Sequence, residues 1–142
     1  MNTEKRQPRA YALVVAGGSG QRLGGDTPKQ FLTLGGQEVL TYSLLALQRT
    51  AEICGIVVCA QQMWHEHVRT LCAENKITKF MDVAAAGADR RASVYSGLCA
   101  LSAQGIAEDD VVLIHDAARP FLTQRVICDN IRAAEKIGAC NT

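Results

Sequence analysis

The sequence predicts an α/β fold: a mostly parallel sheet with helices on both faces. Three observations predict it. Short apolar runs alternate with stretches of helical periodicity from residue 11 onward, no repeat or linker interrupts them, and the first run opens into a glycine-rich loop. A chain of 142 residues, 48% hydrophobic and 20% charged, carries enough apolar material for one domain core and hardly enough for two.

The elements follow in order. YALVVA (11–16) is a run of the kind buried on both faces of a parallel sheet. EVLTYSLLALQRT (38–50) places Leu40, Leu44 and Leu47 at helical spacing, and GIVVCA (55–60) is the second strand. MWHEHVRTLCAEN (63–75) puts Trp64, Val68, Leu71 and Cys72 on one helical stripe, ahead of a third strand, FMDVAA (80–85). In DRRASVYSGLCALSA (89–103) the expected stripe is Val94, Leu98 and Leu101, and DVVLIH (110–115) is the fourth strand. The last helix is TQRVICDNIRAAEKIG (123–138), with Thr123 as N-cap, Gly138 at the C-cap and an Ile127, Ile131, Ala134 stripe. The polar, basic residues 1–10 read as a disordered tail, and the GACNT ending, where the alternation calls for another strand, reads as a truncated C-terminus.

Composition narrows the function classes. The formal net charge is +1 and aromatics are 5%, so neither a basic field nor a stacking surface points to nucleic acid. No apolar run reaches the roughly 20 residues that span a bilayer. The six cysteines (Cys54, Cys59, Cys72, Cys99, Cys128, Cys140) form no CxxC pair, and most lie in apolar runs. They are expected to be buried and reduced, as in a cytoplasmic protein.

Ligands of open α/β sheets bind beyond the carboxyl ends of the strands, which selects three loops: 17–30, 86–90 and 115–120. The first, AGGSGQRLGGDTPKQ (16–30), lets backbone N–H groups approach a phosphate closely. It lacks the GxxxxGK of a P-loop, and GxGxxG fails at Leu23, with Gly24, Gly25 and Pro28 blocking an immediate helix. That weighs against a dinucleotide-dependent oxidoreductase. It is distinguished by Arg22 and the Pro28-Lys29-Gln30 triplet, whose cations Arg22 and Lys29 are able to offset charge on a reacting phosphoryl group; the plain alternative is two solvated surface charges. The second loop offers Gly87, for close approach to a base, with Arg90 and Ser93 near a helix start; simple capping by Asp89 or Ser93 is its alternative. In the third, HDAARPF, Asp116 is placed to bind Mg2+, and Arg119 to hold either Asp116 or a phosphate oxygen. His115 reads as a packed strand-end residue, and His65 and His67 fall on different helix faces, against metal binding.

AGGSGQRLG with PKQ, GADRRASVYSGL and HDAARPF, in this order, resemble the 2-C-methyl-D-erythritol 4-phosphate cytidylyltransferases of non-mevalonate isoprenoid synthesis, over residues 11–142. The resemblance implies a Rossmann-like nucleotidyltransferase domain of which residues 11–142 are the CTP-binding part, and a reaction joining CTP to a sugar-alcohol phosphate with release of pyrophosphate. Ala16, Gly17, Gly18, Ser19 and Gly20 would wrap the CTP phosphates and ribose. Arg22 and Lys29 would stabilise the pentavalent α-phosphate. Gly87, Ala88 and Ser93 would read cytosine with support from Arg90, and Asp116 would hold Mg2+. A cytoplasmic homodimer is implied, with most of the acceptor site outside this sequence. The related ribitol 5-phosphate cytidylyltransferases of teichoic acid synthesis share these motifs, so the acceptor stays open between the two, and a nucleotide-binding but inactive fragment is a further alternative. Two departures stand out. Many members carry alanine at the position of Gly17 and glycine where Ala86 stands.

Overall fold

The computed structural model describes residues 6–18 and 26–140. The first apolar run forms β1 (Ala10–Ala16), buried along its whole length. After the glycine loop come a 3-10 turn (Lys29–Phe31) and a small antiparallel hairpin, β2 (Thr33–Leu34) and β3 (Gln37–Glu38). The order then runs α1 (Val39–Gln48), β4 (Ile53–Ala60), α2 (His65–Glu74), β5 (Phe80–Ala85), α3 (Arg90–Ala103), β6 (Val111–Asp116) and α4 (Gln124–Ile137). Four strands form one parallel sheet in the order β5-β4-β1-β6.

Alternation along β1 builds two cores. Ala12 and Val14 face α1, α2 and α4 through Leu40, Leu44, Val68, Ile127 and Ile131. Leu13 and Val15 face α3 through Leu101, with Val57 and Cys59 of β4. Sheet order explains the distribution of helices. α1 and α2 step the chain away from β1 in one direction, and α3 carries it back across β1 to β6. Right-handed crossovers in opposite directions need opposite faces, so α3 lies alone on its side. Sheet neighbours β1 and β6 flank the reversal of strand order, the place where open α/β sheets bind ligands at their carboxyl ends.

Several expectations need correction. β4 begins at Ile53, two residues before the apolar run suggests, because pairing with β1 continues past a register irregularity at Cys54 to Ala10. Leu98 is 38% exposed; α3 is buried instead through Ser93, Gly97 and Leu101. A Cβ at Gly97 would overlap Leu13 Cδ1 and lie 2.7 Å from Leu13 Cδ2, so this helix sits unusually close to the sheet. Only Cys59 and Cys72 are buried; Cys128 is intermediate and Cys54, Cys99 and Cys140 are exposed, all with free thiols. Residues 6–10, expected within the tail, are held against the sheet. Asp110 accepts from the Arg6 guanidinium at 2.9 and 3.2 Å and from the Arg9 and Ala107 backbone N–H groups, each at 2.8 Å, and Ala10 is already in β1. Residues 1–5 lie outside the described residues.

The capping expectations hold: Thr123 accepts from the Val126 N–H at 3.2 Å, and Gly138 ends α4 at φ +84°. Among the described residues no helix is long and apolar enough to cross a membrane.

Candidate active site at the carboxyl edge of the sheet

Parallel strands place their carboxyl ends together, and pairing of Ala16 with Ala60 and of Val15 with Asp116 sets three of them level. The loop after β1 leaves beside the loop after β5. Gly17 is pressed against the latter: a Cβ there would lie 2.9 Å from Ala86 Cβ and 3.2 Å from Ser93 Oγ. Positions 17 and 86 are thus in direct contact, and with Ala86 in place a methyl group at residue 17 would force a neighbour to shift.

The second loop is folded back on the start of α3. Asp89 is the N-cap, its carboxylate accepting from the Ala92 N–H at 2.8 Å. Ser93 does not cap the helix. Its hydroxyl is buried and accepts from the Gly87 N–H at 3.0 Å, while its carbonyl accepts from the Cys59 thiol at 2.9 Å. A Cβ at Gly87 would overlap Ala92 Cβ and sit 2.8 Å from the Ala92 carbonyl carbon, so the loop closes tightly only because residue 87 has no side chain. Ala88 and Arg90 are exposed beside it, at the amino end of a 14-residue helix.

Asp116 ends β6 and faces solvent in part, its side chain 39% exposed. Arg119 Nε stands 3.8 Å from Asp116 Oδ2, and the arginine side chain is 76% exposed. This is a loose, solvated pair that leaves the carboxylate available to a ligand. The Arg119 backbone is fixed more firmly. Its carbonyl accepts from Ser43 Oγ at 3.2 Å and lies 3.0 Å from His115 Nε2, which is also 2.9 Å from Ser43 Oγ. Burial pushes the His115 pKa below its usual value of 6.5. A neutral, doubly engaged imidazole is a clasp for the turn, in agreement with its reading as a packed strand-end residue. His65 and His67 are likewise occupied, by the Ala60 carbonyl and by Glu38, each at 2.8 Å.

Lys29 opens the 3-10 turn and is half-buried. The next residue, Gln30, is 4% exposed and reaches back to the β1 loop, its Nε2 donating to the Ala16 carbonyl at 2.8 Å and the Gly18 carbonyl at 3.0 Å. Ser19, Gly20 and Arg22, assigned above to the phosphates, lie outside the described residues, as does Leu23. Sequence reasoning marks Gln30 only as part of the PKQ triplet and assigns it no role, because its partners are backbone carbonyls and no residue-type pattern marks them. Ala16, Gly17, Gly18, Lys29, Gly87, Ala88, Arg90, Ser93, Asp116 and Arg119 all fall on the loops or strand ends of this one edge.

Elsewhere, a cleft of about 490 Å³ lies between residues 6–10, Glu52, Cys54, Ile131 and Glu135. It borders the opposite, amino edge of β1 and contains none of these groups.

Comparison with known proteins bears on family and fold. The family model of 2-C-methyl-D-erythritol 4-phosphate cytidylyltransferase (IspD) matches residues 10–141. Among solved structures, the chain is similar to 4-diphosphocytidyl-2C-methyl-D-erythritol synthase from Anaerococcus prevotii DSM 20548, with TM-score 0.72 and 21% identity over 91% of this chain and 52% of that one. A second structure described as 4-diphosphocytidyl-2C-methyl-D-erythritol synthase gives TM-score 0.74 and 25% identity over 94% of this chain and 57% of that one. The chain thus spans little more than half the length of these solved relatives. The family match runs from β1 through α4 and takes in all three loops of the edge; the chain belongs to the 2-C-methyl-D-erythritol 4-phosphate cytidylyltransferase family.

Proposed function

We propose that the carboxyl edge binds CTP for transfer of its cytidylyl group to 2-C-methyl-D-erythritol 4-phosphate, giving 4-diphosphocytidyl-2-C-methyl-D-erythritol and pyrophosphate. The observation that supports this reading is the seating of Gly17 against Ala86 and Ser93, which brings the loop proposed for the phosphates into contact with the loop proposed for the base. In this reading Ala16, Gly17, Gly18, Ser19 and Gly20 surround the triphosphate and ribose. Gly87, Ala88 and Ser93 meet the cytosine, with Arg90 beside them.

The reaction is an in-line displacement. An oxygen of the acceptor's phosphate attacks the α-phosphorus of CTP, a new P–O bond forms, and the bond to the β-phosphate oxygen breaks with its electron pair leaving on pyrophosphate. The attacking oxygen is already anionic, so no general base is required, consistent with His115 being neutral and engaged. Arg22 and Lys29 supply positive charge where the pentavalent phosphorus gathers negative charge. A single, partly exposed carboxylate suits Mg2+, which keeps most of its waters and takes its remaining ligands from substrate phosphates. Asp116 fits that role, although no cluster of three or more His, Cys, Asp or Glu side chains occurs among the described residues. When bound there, Mg2+ would neutralise phosphate charge; Arg119, loosely paired with Asp116, is free to turn toward a phosphate oxygen. A homodimer and a cytoplasmic location belong to the same reading, the latter supported by six free thiols.

The test is pyrophosphate release from CTP and Mg2+ with 2-C-methyl-D-erythritol 4-phosphate or ribitol 5-phosphate as acceptor. Release with the first alone is expected. Release with ribitol 5-phosphate alone would replace the acceptor, and a chain that binds no CTP would overturn the reading.

A further inference from the structure

The geometry points to Gln30 as a positioning residue that holds the carbonyl groups of the glycine loop away from the bound triphosphate and ties Lys29 to that loop. This rests on the CTP reading above. The side-chain nitrogen of Gln30 contacts two carbonyl oxygens, Ala16 O at 2.8 Å and Gly18 O at 3.0 Å. Two acceptors require that atom to be the NH2 group, and its two hydrogens match them one to one. The carbonyl between them, Gly17 O, accepts from Gln61 Nε2 at 3.4 Å. Three consecutive carbonyls are therefore held by carboxamides.

The consequence follows from peptide planarity. In a trans peptide the C=O and the following N–H point in opposite directions, so turning the Ala16 carbonyl toward Gln30 turns the Gly17 N–H away from it. A carbonyl oxygen facing a triphosphate would repel it, whereas an N–H attracts it. Glycine alone does not make this choice, because its backbone adopts either orientation with little cost. The buried amide makes it.

Gln30 is also held from its own side. It is the middle residue of the Lys29–Phe31 turn, in which the Phe31 N–H bonds the Pro28 carbonyl at 3.0 Å. The Phe31 ring stacks on Trp64 with centroids 4.4 Å apart and meets the edge of His67 at 5.3 Å. Lys29 thus sits next to a residue bonded to the loop and near one locked into an aromatic cluster, so its backbone cannot shift without breaking one of them.

The experiment compares the wild-type chain with Gln30→Met, which keeps the volume and removes the donors, and with Gln30→Asn, which keeps the donors on a shorter stem. Without ligand, the carbonyl carbon-13 resonances of Ala16 and Gly18 should move upfield in Gln30→Met, as loss of a hydrogen bond to a carbonyl requires, while those of β4 and α1 stay unchanged. With ligand, CTP affinity should fall at least tenfold while the weak binding of cytidine, which has no phosphate, changes less than twofold. Gln30→Asn should reverse part of both changes. Unmoved Ala16 and Gly18 carbonyl resonances in a folded Gln30→Met chain overturn the clamp whatever the nucleotide result. Equal losses for CTP and cytidine overturn its phosphate-specific role. If the wild-type chain binds no CTP, the proposed function fails, and the carbonyl resonances still decide the clamp.

Discussion

Replacing Gly17 by alanine tests whether the two loops are packed as one unit. The added Cβ would lie 2.9 Å from Ala86 Cβ and 3.2 Å from Ser93 Oγ. Carbon atoms settle at about 3.5–4.0 Å, so one wall must retreat by roughly 0.6–1 Å. Retreat is obstructed on both sides. Gly87, next to Ala86, is already in close contact with Ala92, and moving Ser93 Oγ strains its 3.0 Å bond from the Gly87 N–H. Overpacking of this kind costs about 1–3 kcal/mol. Ala86→Gly alone removes one methyl and adds chain entropy, a cost of about 0.5–1 kcal/mol. In the double variant the methyl has only moved across the contact, so at least about 1 kcal/mol of the Gly17→Ala loss should return, as coupling between touching residues allows. Urea unfolding of the four chains, with unchanged slopes, reads the cycle. Additivity within about 0.5 kcal/mol would refute the idea that the two positions share one methyl-sized space.

Other perturbations probe the remaining groups. Lys29→Ala should lower the rate of pyrophosphate release by about a hundredfold or more with the circular-dichroism spectrum unchanged; a folded variant with near wild-type turnover removes Lys29 from the chemistry. Asp116→Asn should move the Mg2+ titration of activity to higher concentration, and an unmoved titration would assign Asp116 to its pairing with Arg119. The Arg6 guanidinium holds the Asp110 carboxyl down to about 2 from its usual 3.8, so its contribution to stability is complete above pH 3.8 and is lost as pH falls through about 2. Asp110→Asn should therefore lower the melting temperature at pH 7, with the difference from wild type shrinking toward pH 2; a difference independent of pH would contradict this linkage.

The parallel sheet and its helices are legible in the sequence because fully buried strands read as apolar runs: Leu13, Val14, Val57 and Val58 are each 0% exposed. Helix ends were legible where a side chain or a glycine does the capping, as at Thr123 and Gly138. The stripe of α3 was not, because hydrophobic periodicity gives no weight to Ser93 and Gly97, the residues that allow close approach. The hairpin Thr33–Glu38 is marked in the sequence only by the glycine pair of its turn, Gly35 and Gly36 at φ +59° and +87°, because strands of two residues are too short to show alternation. In the site, loop positions followed from the rule on strand carboxyl ends. Contacts between loops did not: Gly17 with Ala86, and Gln30 with the Ala16 and Gly18 carbonyls, join segments distant in sequence through shape and backbone acceptors.

Whether the carboxyl edge is the nucleotide site can be read from amide chemical-shift mapping of CTP with Mg2+ on the isotopically labelled chain. Saturable shifts are expected at Gly17, Gly18, Lys29, Gly87, Ala88 and Asp116, weaker when UTP replaces CTP. Shifts confined to the cleft around Arg9, Glu52 and Glu135 at the opposite edge, or none at millimolar CTP, would contradict it.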